Sequence, residues 1–306
     1  MGRLVAVTGA TGFVGPHLVA AFARRGWRLR LMVRRWSPLP SMAGVDAELV
    51  LGDLSSESAL RQLVDGADAV VHAAGLIKAK AERDFLAVNR DSAALLSALT
   101  PDAHLVLLSS LAAREPQLSA YGASKRAGEA VVANRNGLWT IVRAPAVYGP
   151  GDRETLAYFR AIKSGIAPQP RVPEARLALI HVEDLAEALA LTVERPPPNS
   201  IYEIDDGRTY TYGDMAAAAG GALGRRPWRL PVPRRVMAGI ARWNELRQSL
   251  GAGAQILTRG KVNEIFHPDW SVADRRLAAA IGFEPRYDLT SGFQDTIWWY
   301  RAKHWL

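Results

Sequence analysis

Leu4-Val5-Ala6-Val7-Thr8-Gly9-Ala10-Thr11-Gly12-Phe13-Val14-Gly15 decides the fold. Its first five residues are apolar or β-branched and read as a buried strand. Glycines at 9, 12 and 15 then make a turn, and the stretch Pro16–Arg25 reads as a helix. Strand, glycine turn and helix in that order form a phosphate cradle. Gly9 lets the chain turn tightly, Gly12 removes a side chain where backbone must approach a pyrophosphate, and Gly15 allows close helix–sheet packing. The helix N-terminus turns its N–H groups and positive dipole end toward the phosphates, with Thr11, Phe13 and Val14 completing the cradle. The spacing is G-x-x-G-x-x-G rather than G-x-G-x-x-G. Any tight strand–helix turn can show such glycines; their place after the very first strand carries the functional reading.

Outward from this turn the first half keeps the same rhythm. Strands are expected at Leu4–Thr8, Arg28–Val33, Ala47–Leu51, Ala69–His72, Leu105–Ser109 and Thr140–Arg143, with helices at Glu57–Val64, Phe85–Leu99 and Ala120–Asn134 between them. Such alternation implies a Rossmann-type α/β fold, a doubly wound parallel sheet. Right-handed crossovers then bring every strand's C-terminal end, and the ligand, to one edge. After Gly151 the rhythm breaks. Pro168, Pro170 and Pro173 mark an irregular segment, Ala178–Val182 and Ile201–Ile204 read as further strands, and the chain from Tyr210 to Trp270 reads as helical and basic. The expected organisation is a nucleotide-binding domain over 1–150, to which strands near 178–205 return. A smaller, discontinuous substrate-binding part is drawn mainly from 151–177 and 206–306.

Composition bounds the rest. The 306 residues are 49% hydrophobic and 22% charged, which excludes a disordered or collagen-like chain. With no cysteine there is no disulfide, thiolate metal site or cysteine nucleophile, and no metal is expected. The N-terminal apolar run is too short for a signal peptide, and no window approaches a bilayer-spanning length, so a cytoplasmic protein is expected. A net charge of +8 favours anionic partners: a phosphorylated cofactor or an anionic lipid surface. No nucleic-acid module is recognisable, so nucleic acid is not an expected partner.

The strand ends select a cofactor and a chemistry. An acidic residue after the second strand would bond the ribose of NAD, whereas arginine accommodates the 2′-phosphate of NADP. Here Arg34 and Arg35 stand there, with no acid until Asp46, so NADPH/NADP is expected. Asp53, followed by Leu54, is placed either to accept from the adenine amino group or to cap the next helix. Ala73, Ala74 and Gly75 are small enough for a dinucleotide to lie against backbone. Tyr121 and Lys125, four apart on a helix, share a face. A tyrosine with a pKa of about 10 is a poor acid–base catalyst, and a neighbouring ammonium lowers it. Ser109 and Ser110 end the fifth strand, where a hydroxyl could bond a substrate carbonyl.

In this order the motifs resemble the extended short-chain dehydrogenase/reductase family, of epimerase/dehydratase type. The likeness covers nearly the whole chain: TGATGFVG at 8–15, GDL at 52–54, HAAG at 72–75, LSS at 108–110, YGASK at 121–125, RAPAVYGPGD at 143–152 and IHVEDLA at 180–186. The resemblance implies that Tyr121 is the general acid of carbonyl reduction. It makes Lys125 bond the nicotinamide ribose, Ser110 orient the substrate oxygen (Ser109 less so), and Pro145 line the nicotinamide. Asn89 is left outside the catalytic set, and His72, His181 and Asp184 are expected to be structural. Family dehydratases carry an Asp-Glu pair directly after the active-site hydroxyl residue; Leu111 and Ala112 stand there instead. Nucleotide-sugar members place an asparagine where this chain has Ala146. Both departures favour the side of steroid dehydrogenases, flavonoid reductases and keto-lipid reductases.

Six of the nine tryptophans lie after residue 227, and arginines crowd 225–247 around a single acid, Glu245. On a helix from Arg234 to Leu250 the side chains of Val236, Ile240, Trp243 and Leu250 form one stripe, with Arg247 on it. The expected role is a lid helix packing that stripe on the core, the competing one an interfacial helix at a membrane surface. The sequence thus implies an NADPH-dependent reductase of a bulky apolar ketone, such as a 3-oxo sphingoid, a ceramide type or a steroid-like ketone. The competing readings are a nucleotide-sugar epimerase with tightly held NAD and a non-catalytic NADP(H)-binding subunit. Oligomeric state is left open, a homodimer included.

Overall fold

A computed structural model describes residues 2–35, 45 and 47–306. The chain forms two compact units. The first comprises Met1–Ala144, Leu185–Ile204 and Asp274–Phe283; the second comprises Pro145–Asp184, Asp205–Ala273 and Glu284–Leu306.

The first unit starts with β1 (Leu4–Thr8), α1 (Gly15–Arg24), β2 (Arg28–Val33), β3 (Ala47–Leu51), α2 (Glu57–Val64) and β4 (Ala69–His72). It continues through α3 (Glu82–Leu86), α4 (Ser92–Leu99), β5 (His104–Ser110), α5 (Ala120–Ala133) and β6 (Trp139–Ala144). With β11 (Ser200–Glu203) the strands form one seven-stranded sheet in the order β11-β6-β5-β4-β1-β2-β3. Every pairing in it is parallel. This is the expected doubly wound Rossmann-type sheet. β1 is buried along its whole length, which its unbroken apolar run anticipates. Helix α2 turns Ala59, Leu60, Leu63 and Val64 inward, where they meet Val50, Leu96, Leu105 and Ile141. From β1 the chain passes to β2 on one side and resumes at β4 on the other. The C-terminal ends of β1 and β4 therefore flank the topological switch point, where ligands bind in such sheets.

The expected helix over Phe85–Leu99 is broken by one π-helical turn, Ala87–Asp91, between α3 and α4. Gly128 of α5 lies so close that a Cβ there would stand 2.2 Å from the Asn89 carbonyl oxygen. The π turn seats the backbone of Asn89 against α5.

The second unit contains β7 (Ala146–Tyr148), α6 (Leu156–Lys163), β8 (Ile166–Pro170), β9 (Arg176–Leu177) and β10 (Leu179–His181). After α7 (Val182–Glu194) come α8 (Tyr212–Leu223), β12 (Trp228–Val232), α9 (Arg234–Ser249), α10 (Arg259–Ile265) and β13 (Asp269–Trp270). Then follow α11 (Arg276–Ile281), which belongs to the first unit, and α12 (Leu289–Ala302). The second unit has its own aromatic core. Phe293 meets Tyr148 and Phe159 edge to face, each at 5.0 Å between ring centroids. Gly292 admits this packing, since a Cβ there would stand 2.2 Å from the Tyr148 hydroxyl oxygen. The buried Asp184 carboxylate accepts backbone N–H bonds from Arg286 (3.1 Å) and Tyr287 (3.0 Å), and His181 packs on the Tyr287 ring.

Four expectations are corrected. Of the two strands near 178–205, only Ser200–Glu203 joins the large sheet; Leu179–His181 pairs with β7. The irregular proline segment contains β8, paired with β12, whose residues were expected to be helical. Both are edge strands of a two-stranded sheet, where proline costs no ladder bond. The apolar stripe of α9 does not pack on the core: Val236, Ile240, Trp243 and Leu250 are all exposed. Its inward face carries Ala241, the helix's one buried residue, beside polar side chains bonded to neighbouring segments.

Candidate active site

The carboxyl edge of the large sheet gathers the expected nucleotide residues of the first unit. Gly9 adopts φ +77°, and a Cβ there would stand 2.6 Å from the Ala74 nitrogen. Only glycine lets the first turn pass this close to the loop after β4. Gly12 instead meets only the Gly9 carbonyl at 3.3 Å, so its outer side is open, as a phosphate requires. A Cβ on Gly15 would stand 2.2 Å from the Gly9 carbonyl oxygen and 2.4 Å from that of Ala10. Gly15 therefore serves the turn's own backbone, a correction to its expected role in helix–sheet packing. The first turn of α1 has no acidic residue and no side-chain cap, which leaves its N–H groups for an anion. Thr11 and Gly12 are exposed, and Phe13 and Val14 are half-buried. These features fit a dinucleotide.

Arg34 and Arg35 follow β2 directly and are exposed. Asp46 lies outside the described residues. Asp53 accepts from the Ser55 N–H (2.8 Å) and hydroxyl (2.6 Å), bonds that hold its carboxyl below the usual carboxylate range, with Arg34 adding to the effect. The cap of α2 is Ser56, which accepts from the Ala59 N–H, so the capping role expected of Asp53 is corrected. Leu54 packs on the core beneath.

A buried hydrogen-bond chain fixes Ala73-Ala74-Gly75. The Ser92 hydroxyl donates to the Val88 carbonyl (2.5 Å) and so accepts from His72 Nε2 (2.9 Å). His72 Nδ1 is then the acceptor for the Thr8 hydroxyl (2.7 Å), whose oxygen accepts the Ala74 N–H (3.3 Å). Thr8 and His72 are register partners of β1 and β4, so the chain staples the loop to the glycine turn. Burial, with the Lys125 charge adding, pushes the His72 pKa down to about 3, so the ring is neutral at physiological pH.

Helix α5 starts at Ser119, whose hydroxyl accepts from the Gly122 N–H (2.9 Å), and this cap sets Tyr121 in the first turn. Tyr121 is half-buried beside Phe85, with ring centroids 6.3 Å apart. One turn later Lys125 is only 6% exposed. Its ammonium donates to the Leu108 carbonyl at 2.6 Å, and a Cβ on Gly75 would stand 3.7 Å from it. Burial pushes its pKa down to about 8 against the opposing charge of Glu129.

The two serines ending β5 differ. The Ser109 hydroxyl donates to Glu129 Oε1 (2.6 Å) inside a buried ion pair in which Arg143 grips Glu129 at 2.8 and 2.6 Å. Ser110 is half-buried, and its oxygen accepts from the Ala112 N–H (3.2 Å). Ser110 is therefore the hydroxyl left for a ligand at this strand end. Pro145, also half-buried, opens the second unit.

Asn89, left outside the catalytic set, is a structural residue of this region, and the Glu129–Arg143 pair escaped the sequence reading. Asn89 is buried; its amide donates to the Leu76 carbonyl (3.1 Å) and Ser124 hydroxyl (2.9 Å), and its carbonyl accepts the Leu76 N–H (2.9 Å). It ties the loop after Gly75 to α5. The Glu129–Arg143 pair anchors α5 to β6. A glutamate eight residues after Tyr121 in the same helical stretch was the available signal.

Comparison with known proteins agrees with this fold. The family model for the NAD-dependent epimerase/dehydratase family matches residues 5–205. A ceramide reductase of Caulobacter vibrioides is 41% identical over 99% of this chain and 96% of its own. A 4-hydroxy-2-methyl-3-oxo-4-farnesyl-3,4-dihydroquinoline-1-oxide ketoreductase of Stigmatella aurantiaca is 26% identical over 74% of this chain and 81% of its own. The crystal structure of gox2253 superposes with a TM-score of 0.81 over the full length of both chains, at 23% identity, a likeness of fold. The chain belongs to the NAD-dependent epimerase/dehydratase family, among the extended short-chain dehydrogenase/reductases, and is an oxidoreductase that uses a nicotinamide dinucleotide.

Proposed function

We propose that the chain is an NADPH-dependent reductase that converts a ketone on a bulky apolar substrate, a keto-lipid of 3-oxo sphingoid or ceramide type, to a secondary alcohol. The observation that carries the reaction is α5, which buries the Lys125 ammonium against Gly75 one turn after Tyr121 and packs on β5, the strand that ends at Ser110. A pure binding subunit has no use for this set. The substrate class is supported by the ceramide reductase relative, similar along the whole chain. Preference for NADPH is supported by Arg34 and Arg35, exposed at the end of β2.

Bound in the cradle, the dinucleotide would supply a hydride to the carbonyl carbon. The Ser110 hydroxyl donates to the carbonyl oxygen and orients it. Tyr121 gives its phenolic proton to that oxygen, completing the alcohol, and is reprotonated from solvent. Lys125 would hold the nicotinamide ribose, and its ammonium stabilises the transient phenolate electrostatically. Tyr121→Phe is expected to lower turnover by about 100-fold or more while leaving NADPH affinity unchanged. Steady-state assay with a 3-oxo lipid, alongside NADPH fluorescence titration, checks this. Wild-type turnover by the variant contradicts the assignment.

A further inference from the structure

Helix α9 is attached to the protein by its polar side and presents its apolar side outward. On the inward face the Asn244 amide donates to the Leu257 carbonyl (3.1 Å) and Gln248 Oε1 accepts the Gln255 N–H (3.1 Å). Between them Glu245 accepts from the Arg259 N–H and guanidinium, both at 2.8 Å. On the opposite face Val236, Ile240, Trp243 and Leu250 are 52, 48, 61 and 78% exposed, with Leu246 at their flank 49% exposed. A surface helix of a soluble protein normally does the reverse.

The charges around the stripe identify its occupant. Arg235 and Arg242 flank it and Arg247 lies on it, all exposed. Just upstream Arg225, Arg226 and Arg229 are exposed beside Trp228, itself 65% exposed. The one acid of this segment, Glu245, is held on the inward face by Arg259. A second copy of this chain would bring the same arginines and repel. An anionic surface with an apolar interior complements both features: the stripe enters the acyl boundary while the guanidinium groups snorkel to the phosphates.

We propose that α9 is a lipid-docking helix that seats the protein on anionic bilayers. The proposal stands apart from the chemistry at Tyr121, because docking needs neither ketone nor turnover.

Flotation of the full chain with vesicles tests it. The protein is expected to float with phosphatidylcholine vesicles containing 30% phosphatidylglycerol, and at least tenfold less with phosphatidylcholine alone or in 0.5 M salt. Joint replacement Val236→Ser, Ile240→Ser, Trp243→Ser and Leu250→Ser is expected to cut flotation at least tenfold, with melting temperature and NADPH binding unchanged. Arg235→Gln with Arg242→Gln is expected to weaken binding to anionic vesicles while retaining the fold. The proposal is overturned if the wild type does not float, if the folded serine variant floats as well as the wild type, or if the stripe proves instead to join two copies of the chain in solution.

Discussion

At the scale of single residues, the site holds charge where the fold would rather have none. Lys125 is buried, and its pKa of about 8 lies below the ordinary 10.5. Between those two values the unfolded chain binds more protons than the folded one, so stability rises with pH across that window. The cost of the buried ammonium is fully present below about pH 8 and gone above 10.5. Lys125→Met is therefore expected to abolish turnover yet stabilise the protein at pH 7 by roughly 1–3 kcal/mol, the lost bond to the Leu108 carbonyl offsetting part of the gain. The gain shrinks as pH approaches 10. Urea denaturation at the two pH values checks the sign; a destabilised variant at pH 7 would mean that packing and the Leu108 bond outweigh burial of charge. Residue types and spacing made Tyr121, Lys125 and the glycine turn legible in the sequence. The choice of Ser110 over Ser109 came from the resemblance alone, because its physical reason is Glu129, which reaches Ser109 only through the packing of α5 on β5 and β6.

At the scale of elements, α5 is held in place from three directions: Ser119 caps it, Glu129 ties it to Arg143 of β6, and Gly128 seats it on the π turn. Replacing a helix-interior glycine by alanine ordinarily stabilises by about 0.5–1 kcal/mol. At Gly128 the sign is expected to reverse, because the new methyl would overlap the Asn89 carbonyl oxygen. Gly128→Ala should cost about 1–3 kcal/mol and lower turnover, whereas Gly221→Ala in α8, with nothing within 4 Å, should stabilise. Thermal melts of the pair test the contrast; a stabilised Gly128→Ala would refute the close seat. The large sheet's inner strands β1, β4 and β5 were legible because each is built on an apolar run bounded by turn residues. The π turn was not, since it answers to a glycine nearly forty residues away. Nor was the orientation of α9. Periodicity shows that a helix has an apolar stripe, but which side faces the protein is decided by partners such as Leu257 and Arg259.

At the scale of the whole molecule, one unit carries the glycine turn, Tyr121 and Lys125 with its parallel sheet, and the other has a separate aromatic core and a basic helix with an exposed apolar stripe. The positive balance of +8 suits a phosphorylated cofactor and an anionic surface alike. Whether the redox cycle is net reduction or is redox-neutral is the central question, since the family performs both. The most direct measurement is the stoichiometry of NADPH consumed to alcohol formed, with the purified chain and a 3-oxo ceramide supplied in detergent. The account predicts one NADPH oxidised for each ketone reduced, released as NADP and replaced each turnover, with NADH a poor substitute. Conversion of a nucleotide sugar by protein carrying tightly held NAD, with no net consumption of reduced cofactor, would contradict it.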